Sequence, residues 1–230
     1  MRAALEAGLA QAGQTLTREQ ADRLCEFGRL LLEKNQVMNL TAITEPEAVA
    51  QLHFLDSLTV LRTADCKGKS IVDVGCGAGF PGVPVAIAEP DARVTLLDSL
   101  QKRMNWLREV LPGLGVEAQV VSARAEEYAA GHREQYDLAV SRAVARLNIL
   151  CELCLPLVKV GGQFLALKGA ATNQEVEEAS NAIAALGGKV ARIAEYPIAG
   201  AVHRIVVIDK VRPTPRQYPR KFAKIKQTPL

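Results

Sequence analysis

Ser70-Ile71-Val72-Asp73-Val74-Gly75-Cys76-Gly77-Ala78-Gly79-Phe80-Pro81-Gly82 decides the reading of this 230-residue chain. A short, nearly all-apolar run passes one acid and enters four glycines and a proline. Such a run reads as a strand buried on both faces. The glycines allow backbone angles closed to other residues and let a ligand approach the main chain closely. Pro81 has its φ preset for a helix start, where a missing N–H costs nothing. The stretch is therefore a strand, a ligand loop and the first turn of a helix.

Outward from it, six more short apolar runs recur: 93–98, 116–122, 136–141, 163–168, 189–193 and 204–209. Helical spacing fills 99–111, 147–158 and 173–186. Strands apolar on both faces and alternating with helices predict a doubly wound, mostly parallel sheet of seven strands, an α/β fold. The last two runs lie close together, which leaves room for one antiparallel member. Residues 1–62 read as helical. Thr17 to Gln20 has capping-box spacing, and Pro46 suits a first turn. Three parts are expected: a helical extension (1–66), the sheet domain (67–210) and a basic, proline-rich tail in an extended form (211–230).

Composition narrows the classes. Hydrophobic residues make up 49% and charged residues 23%, which is ordinary globular content. No apolar run is long enough to span a bilayer, and Glu6 interrupts the apolar N-terminus, so neither a membrane span nor a signal peptide is expected. Five scattered cysteines suit reduced thiols and a cytoplasmic setting. The net charge of +3 is unevenly spread. Residues 210–230 hold seven basic groups and no acid, whereas the preceding body has 21 basic against 25 acidic groups. A basic end on a mildly acidic body points to an anionic macromolecule.

Two ligands compete for the glycine loop. Gly77-x-Gly79-x-x-Gly82 fits a dinucleotide fingerprint, and an oxidoreductase would follow. The frame Asp73-x-Gly75-x-Gly77-x-Gly79 resembles the first motif of class I S-adenosylmethionine-dependent methyltransferases. An acid there favours a ligand carrying an amino group and repels a pyrophosphate. Asp98 ends the second strand, where a carboxylate takes ribose hydroxyls. The Asp73 frame favours S-adenosylmethionine.

Longer stretches carry a fuller resemblance: Asn39-Leu40-Thr41, His53-Phe54-Leu55-Asp56-Ser57-Leu58, Leu96-Leu97-Asp98-Ser99-Leu100, Arg124-Ala125-Glu126-Glu127, Ser141-Arg142-Ala143-Val144-Ala145, Leu167-Lys168-Gly169, Tyr218-Pro219-Arg220 and Pro229-Leu230. Together with the loop they resemble the RsmG family, also called glucose-inhibited division protein B. The resemblance implies a class I methyltransferase fold and methylation of guanine N7 in 16S rRNA, at guanine 527 in standard rRNA numbering. It places Asp73, Gly75, Gly77, Gly79, Phe80, Asp98, Ala125, Glu126 and Arg142 at the cofactor, and gives Arg142 and Lys168 positioning roles. Asn39, Arg124 and Lys168 fall at positions linked to RNA. Arg204, Arg220, Lys221 and Lys224 join them as basic candidates. The implied partner is 16S rRNA within the small subunit or its precursor, with the chain acting as a monomer. Family members carry Arg-His before the last strand, where this chain reads His203-Arg204.

Methylation at N7 needs no general base, because an in-plane lone pair is already present, and none is expected. Guanine is then to be read on its Watson–Crick edge or by stacking, from an unpaired base. Phe80 is either a stacking wall or core packing, and His53 either touches substrate or links to Asp56 or backbone. Arg146 reads as a solvated helix residue. Cys151-x-x-Cys154 falls inside a helix without a second pair, so buried free thiols are expected and no metal. The rival from another class is an RNA-binding or assembly module that keeps a cofactor pocket without turnover.

Overall fold

A computed structural model describes residues 1–169 and 171–230 of the chain. Seven strands form one sheet: β1 (Ser70–Val74), β2 (Arg93–Asp98), β3 (Ala118–Ser122), β4 (Tyr136–Arg142), β5 (Val158–Lys168), β6 (Gly188–Ile198) and β7 (Ala201–Lys210). Their order is β3-β2-β1-β4-β5-β7-β6. The five strands from β3 to β5 are parallel, and β7 enters antiparallel between β5 and β6. Strand order reverses between β1 and β4, so the crevice above their C-terminal ends is where a ligand is accommodated.

The apolar alternation sends neighbouring side chains to opposite cores. Ile71 joins Leu5, Phe27, Phe54, Val83 and Trp106 on one face, and Val72 joins Leu150, Cys154, Ile183 and Ile225 on the other. The first face is covered by α1 (Arg2–Ala12), α2 (Arg18–Met38), α3 (Pro46–Val49), α4 (Asp56–Thr63), α5 (Gly82–Ala88) and α6 (Gln101–Val110). The second is covered by α7 (Ala125–Tyr128), α8 (Leu147–Cys154), α9 (Thr172–Glu178), α10 (Ser180–Ala185) and α11 (Phe222–Gln227). The N-terminal helices thus share a core with the sheet.

Local rules explain several ends. Thr17 Oγ1 accepts the Gln20 N–H, and the Gln20 side chain accepts the Thr17 N–H, completing the capping box that starts α2. Pro46 opens α3 as expected. Between α3 and α4 the chain makes a π-helical turn at Ala50–Leu55, which carries His53 and runs directly into Asp56. Such widened turns are frequent at functional sites.

Three expectations are revised. The helix expected over 173–186 breaks at Ala179-Ser180 into α9 and α10. The runs at 189–193 and 204–209 extend into a long hairpin whose turn is Ala199-Gly200, both with positive φ (51° and 78°). Pro197 hid that extension, yet it is tolerated because β6 is an edge strand. The tail is not simply extended. It folds back along α8 and ends in α11, with Ile225 fully buried.

Candidate active site

β1, β2, β4 and β5 end side by side, and three connected clefts open there. One of ≈ 410 Å³ lies over Val74, Gly75 and Asp98 and is walled by Ala125, Glu126 and Phe222. One of ≈ 210 Å³ continues past Gly75, Gly77 and Phe80 to Thr41, His53 and Arg142. One of ≈ 640 Å³ opens beyond it, between His53, Asp56, Arg142, Lys168 and His203. Ala143 borders all three. It holds φ at 55°, a rare conformation for a residue with a Cβ, and strain of this kind concentrates at functional sites.

The glycines divide their tasks. Gly75 (φ 74°) lines both smaller clefts, and a Cβ there would overlap Val144. Gly79 (φ 98°) faces the core, where a Cβ would lie 2.6 Å from Val83. Asp73 is fully buried beneath the loop. Its Oδ2 accepts the Gly82 N–H at 2.7 Å and so fixes the start of α5, while its Oδ1 has no partner. Burial pushes the carboxyl up to about 7, against the opposing pull of the Gly82 N–H and of Arg142. Asp98 Oδ2 accepts the Gly77 N–H at 3.0 Å and its Oδ1 the Leu100 N–H at 2.8 Å, tying the two loops together.

A polar chain joins residues remote in sequence. Arg142 Nη1 donates to Asp56 Oδ2 and to the Leu52 carbonyl, both at 2.9 Å, and its Nη2 donates to His53 Nδ1 at 2.8 Å. The guanidinium also lies 5.2 Å from the Phe80 ring centroid. With Nδ1 accepting, His53 carries its proton on Nε2 and donates it to Thr41 Oγ1 at 2.8 Å. Burial, then the charge of Arg142, lowers His53 to about 4, so the ring is neutral. Asp56 Oδ1 receives His203 Nδ1 at 2.8 Å. Burial works against the ionised Asp56, but His203 and Arg142 outweigh it and hold the carboxyl below its usual range. His203 is raised in turn by that hydrogen bond. Phe80 is 5% exposed and stacked on His53 at 4.4 Å, so it backs the histidine from within the core.

Lys168 Nζ donates to Glu175 and to the Ala145 carbonyl, both at 2.7 Å, bracing the segment after Arg142. Arg204 pairs with Glu195, and Arg146 with Glu178. Arg124 caps α7 with its guanidinium 5.9 Å from the Phe222 ring. Asn39 is exposed at the left-handed end of α2 (φ 49°). Lys221 and Lys224 are exposed, whereas Arg220 grips the buried Glu152 with two nitrogens at 2.6 and 2.8 Å. Cys151 and Cys154 are buried free thiols of α8, both pushed upward by burial. Among the described residues no cluster of three His, Cys, Asp or Glu is placed to hold a metal, and no helix is long and apolar enough to cross a membrane.

Residues 20–200 match the family model described as rRNA small subunit methyltransferase G. The chain belongs to that family. It is 47% identical over 223 residues to the ribosomal RNA small subunit methyltransferase G of Alkaliphilus metalliredigens, covering 94% of this chain and 93% of that one. The Acetivibrio thermocellus protein of the same name is 44% identical over 235 residues, covering 100% and 97%. Among solved structures, TrmN from Thermus thermophilus superposes with a TM-score of 0.55 at 20% identity, over 68% of this chain and 48% of that longer one. A variant 16S rRNA (adenine(1408)-N(1))-methyltransferase from Catenulisporales acidiphilia, with its cosubstrate SAM, superposes with a TM-score of 0.53 at 17% identity, over 69% and 93%. These two likenesses concern the fold.

Membership in the methyltransferase G family makes the chain an S-adenosylmethionine-dependent methyltransferase, and the dinucleotide reading lapses. Other members of the site escaped the sequence reading. Thr41, Asp56 and His203 lay in quoted stretches, but nothing local tied them to Arg142. Arg103 lines both smaller clefts and has no acidic partner among the described residues. Its only signal was a cation in the first turn of a helix, where the dipole disfavours it. Phe222 carried no signal at all.

Proposed function

We propose that this methyltransferase G family member moves the methyl group of S-adenosylmethionine to N7 of one guanine in 16S rRNA, within the small subunit or its precursor. One observation carries the reading: the loop cleft and the wide cleft beside Lys168 and His203 meet at Ala143 and Val144, just beyond Arg142. The smaller clefts suit the cofactor and the larger one a nucleotide.

The residues fit that cofactor. Asp73 presents a buried oxygen without a donor, and Gly75 leaves a cradle that no side chain could share. Gly75, Gly77 and the carboxylate of Asp98 would hold it, with Ala125 and Glu126 at its base. Gly79 and Phe80 act from behind, one packing the loop and the other backing His53. When bound, S-adenosylmethionine supplies an electrophilic methyl on a positively charged sulfur.

The chain's part is then orientation and charge. The target nitrogen already has its lone pair, so no residue need remove a proton, and rate comes from alignment. Arg142 is held by four groups and cannot swing, which fixes the wall between the two ligands. Lys168 braces Ala145 in that wall. Neutral His53 adds no charge beside the sulfonium, while ionised Asp56 offsets Arg142. Asn39, Arg124, Arg204, Lys221 and Lys224 are the RNA contacts in this reading, and the engaged Nζ of Lys168 favours its positioning role over the RNA contact expected for it. The grip of Arg220 on Glu152 favours an anchoring role for that residue. The same reading has the protein acting as a cytoplasmic monomer, which sedimentation and cell fractionation check.

The test is transfer of labelled methyl from S-adenosylmethionine to naked 16S rRNA and to small subunits, followed by mapping of the base. One labelled guanine N7 is the expected result. Label found solely in protein or a small molecule would overturn it, and binding of both ligands without transfer would favour the assembly module.

A further inference from the structure

The C-terminal segment was expected to be an RNA-binding arm, yet part of its charge is tied to the body of the protein. Lys210 is 1% exposed, with Nζ donating to the Leu155 and Val158 carbonyls and to Thr214 Oγ1. Arg212 donates to the Ala184 carbonyl, and Arg220 makes its two-pronged pair with Glu152. From the body, Arg133 reaches out to the carbonyls of Thr214, Pro215 and Tyr218. Thr214 is held again through its N–H on Glu134 and its hydroxyl on the Leu186 carbonyl. This segment is strapped down at both ends.

The strap delivers one residue to a particular place. Ile225 of α11 enters the core beneath α8, and Phe222, one turn earlier, lines the ≈ 410 Å³ cleft together with Asp98 and Ala125. Val74, Leu97 and Leu153 add apolar surface to the same cleft. Arg124 stands over the outer face of the assembly at 5.9 Å from the ring. A cleft lined by apolar side chains and an aromatic ring, with the carboxylates of Asp98 and Glu126 beside them, suits a nucleoside, whose purine gains from stacking whatever its substituents.

We infer that Phe222 is the outer wall of the nucleoside end of the cofactor cleft, so that the C-terminal segment is part of the cofactor site. The inference rests on the proposed S-adenosylmethionine reading. The exposed Lys221 and Lys224 flank Phe222 on the same short element, so RNA contact and cofactor contact share one support.

Calorimetry on the full chain tests this with two ligands, S-adenosylhomocysteine and 5′-methylthioadenosine, which have the nucleoside in common but not the amino acid. F222A is expected to weaken both by about tenfold or more, the usual scale of a lost base–aromatic contact. F222Y is expected to bind both within about twofold of the parent. Equal affinities for F222A and the parent would overturn the inference, as would a loss confined to S-adenosylhomocysteine. If F222A lowers the folded fraction, F222W replaces it. Trp106 is the chain's one native tryptophan and is buried. Indole fluorescence at position 222 should change on adding S-adenosylhomocysteine beyond the parent's response, and an unchanged signal overturns the inference. A parent chain that binds neither ligand would instead remove the cofactor reading itself.

Discussion

His53 Nδ1 accepts a hydrogen bond from Arg142 Nη2 at 2.8 Å, and this contact sets the tautomer of the histidine and is one of the ties that hold the arginine. The histidine comes from a π-helical turn in the N-terminal helical region, the arginine from the end of β4. Removing the guanidinium would leave Asp56 buried without its main cation. R142A is therefore expected to lower stability by about 3 kcal/mol, read by chemical denaturation, and to abolish methyl transfer. R142K keeps the charge but not the fork that serves three acceptors, so activity should fall steeply while much of the stability survives.

Acid should loosen the same region. His53 is lowered to about 4 in the folded chain from 6.5, so the unfolded chain binds the extra proton first. The neutral ring's contribution is complete above pH 6.5 and is lost as pH falls toward 4, by about 3 kcal/mol across that window. His203 has the opposite sign: its raised value adds stability below 6.5 that fades as pH rises through it. His53→Asn keeps an acceptor for Arg142 and should flatten the acid limb of the denaturation profile. A limb of unchanged slope in that variant would exclude His53 as its source.

Cofactor binding should release a proton. Asp73 sits at about 7 when alone, and a ligand bearing an ammonium group favours its ionised form. Affinity for S-adenosylhomocysteine is expected to rise with pH up to about 7 and then level off. Calorimetry in buffers of different ionisation enthalpy should detect the proton near neutrality, and D73N should eliminate it.

Arg103 faces the small cleft beside Gly77 with no acidic partner among the described residues, which suits the carboxylate of the ligand's amino acid end. R103Q is expected to weaken S-adenosylhomocysteine by about tenfold and leave 5′-methylthioadenosine nearly unchanged, the scale of one charge-assisted hydrogen bond. Equal losses for both ligands would place Arg103 elsewhere.

How much of this was legible beforehand follows from the range of the forces involved. The parallel sheet could be read because strands covered on both faces leave near-continuous apolar runs such as Ile71–Val74. The glycine loop followed from its motif, Asp98 from its place at the end of the second strand, and Arg142 from the family resemblance. The hairpin was hidden because Pro197 and Gly200 usually mark strand ends, and edge position overrides that local preference. The Asp56–His203 and Arg220–Glu152 pairs join residues 147 and 68 apart, so nothing near either partner announces the other. The tail's lysines and arginines look alike in sequence. Only the positions of Glu152, Glu134 and the open carbonyls separate those turned inward from those facing solvent.

The span of the Asp56 contacts also has a consequence in time. Asp56 meets Arg142 across 86 positions and His203 across 147, and closing loops of that length is slow compared with forming helices or neighbouring strands. The wall between the clefts can be complete only after β7 has slotted between β5 and β6 and the first helices have docked. A refolding chain should thus regain its helical signal well before it regains a working site.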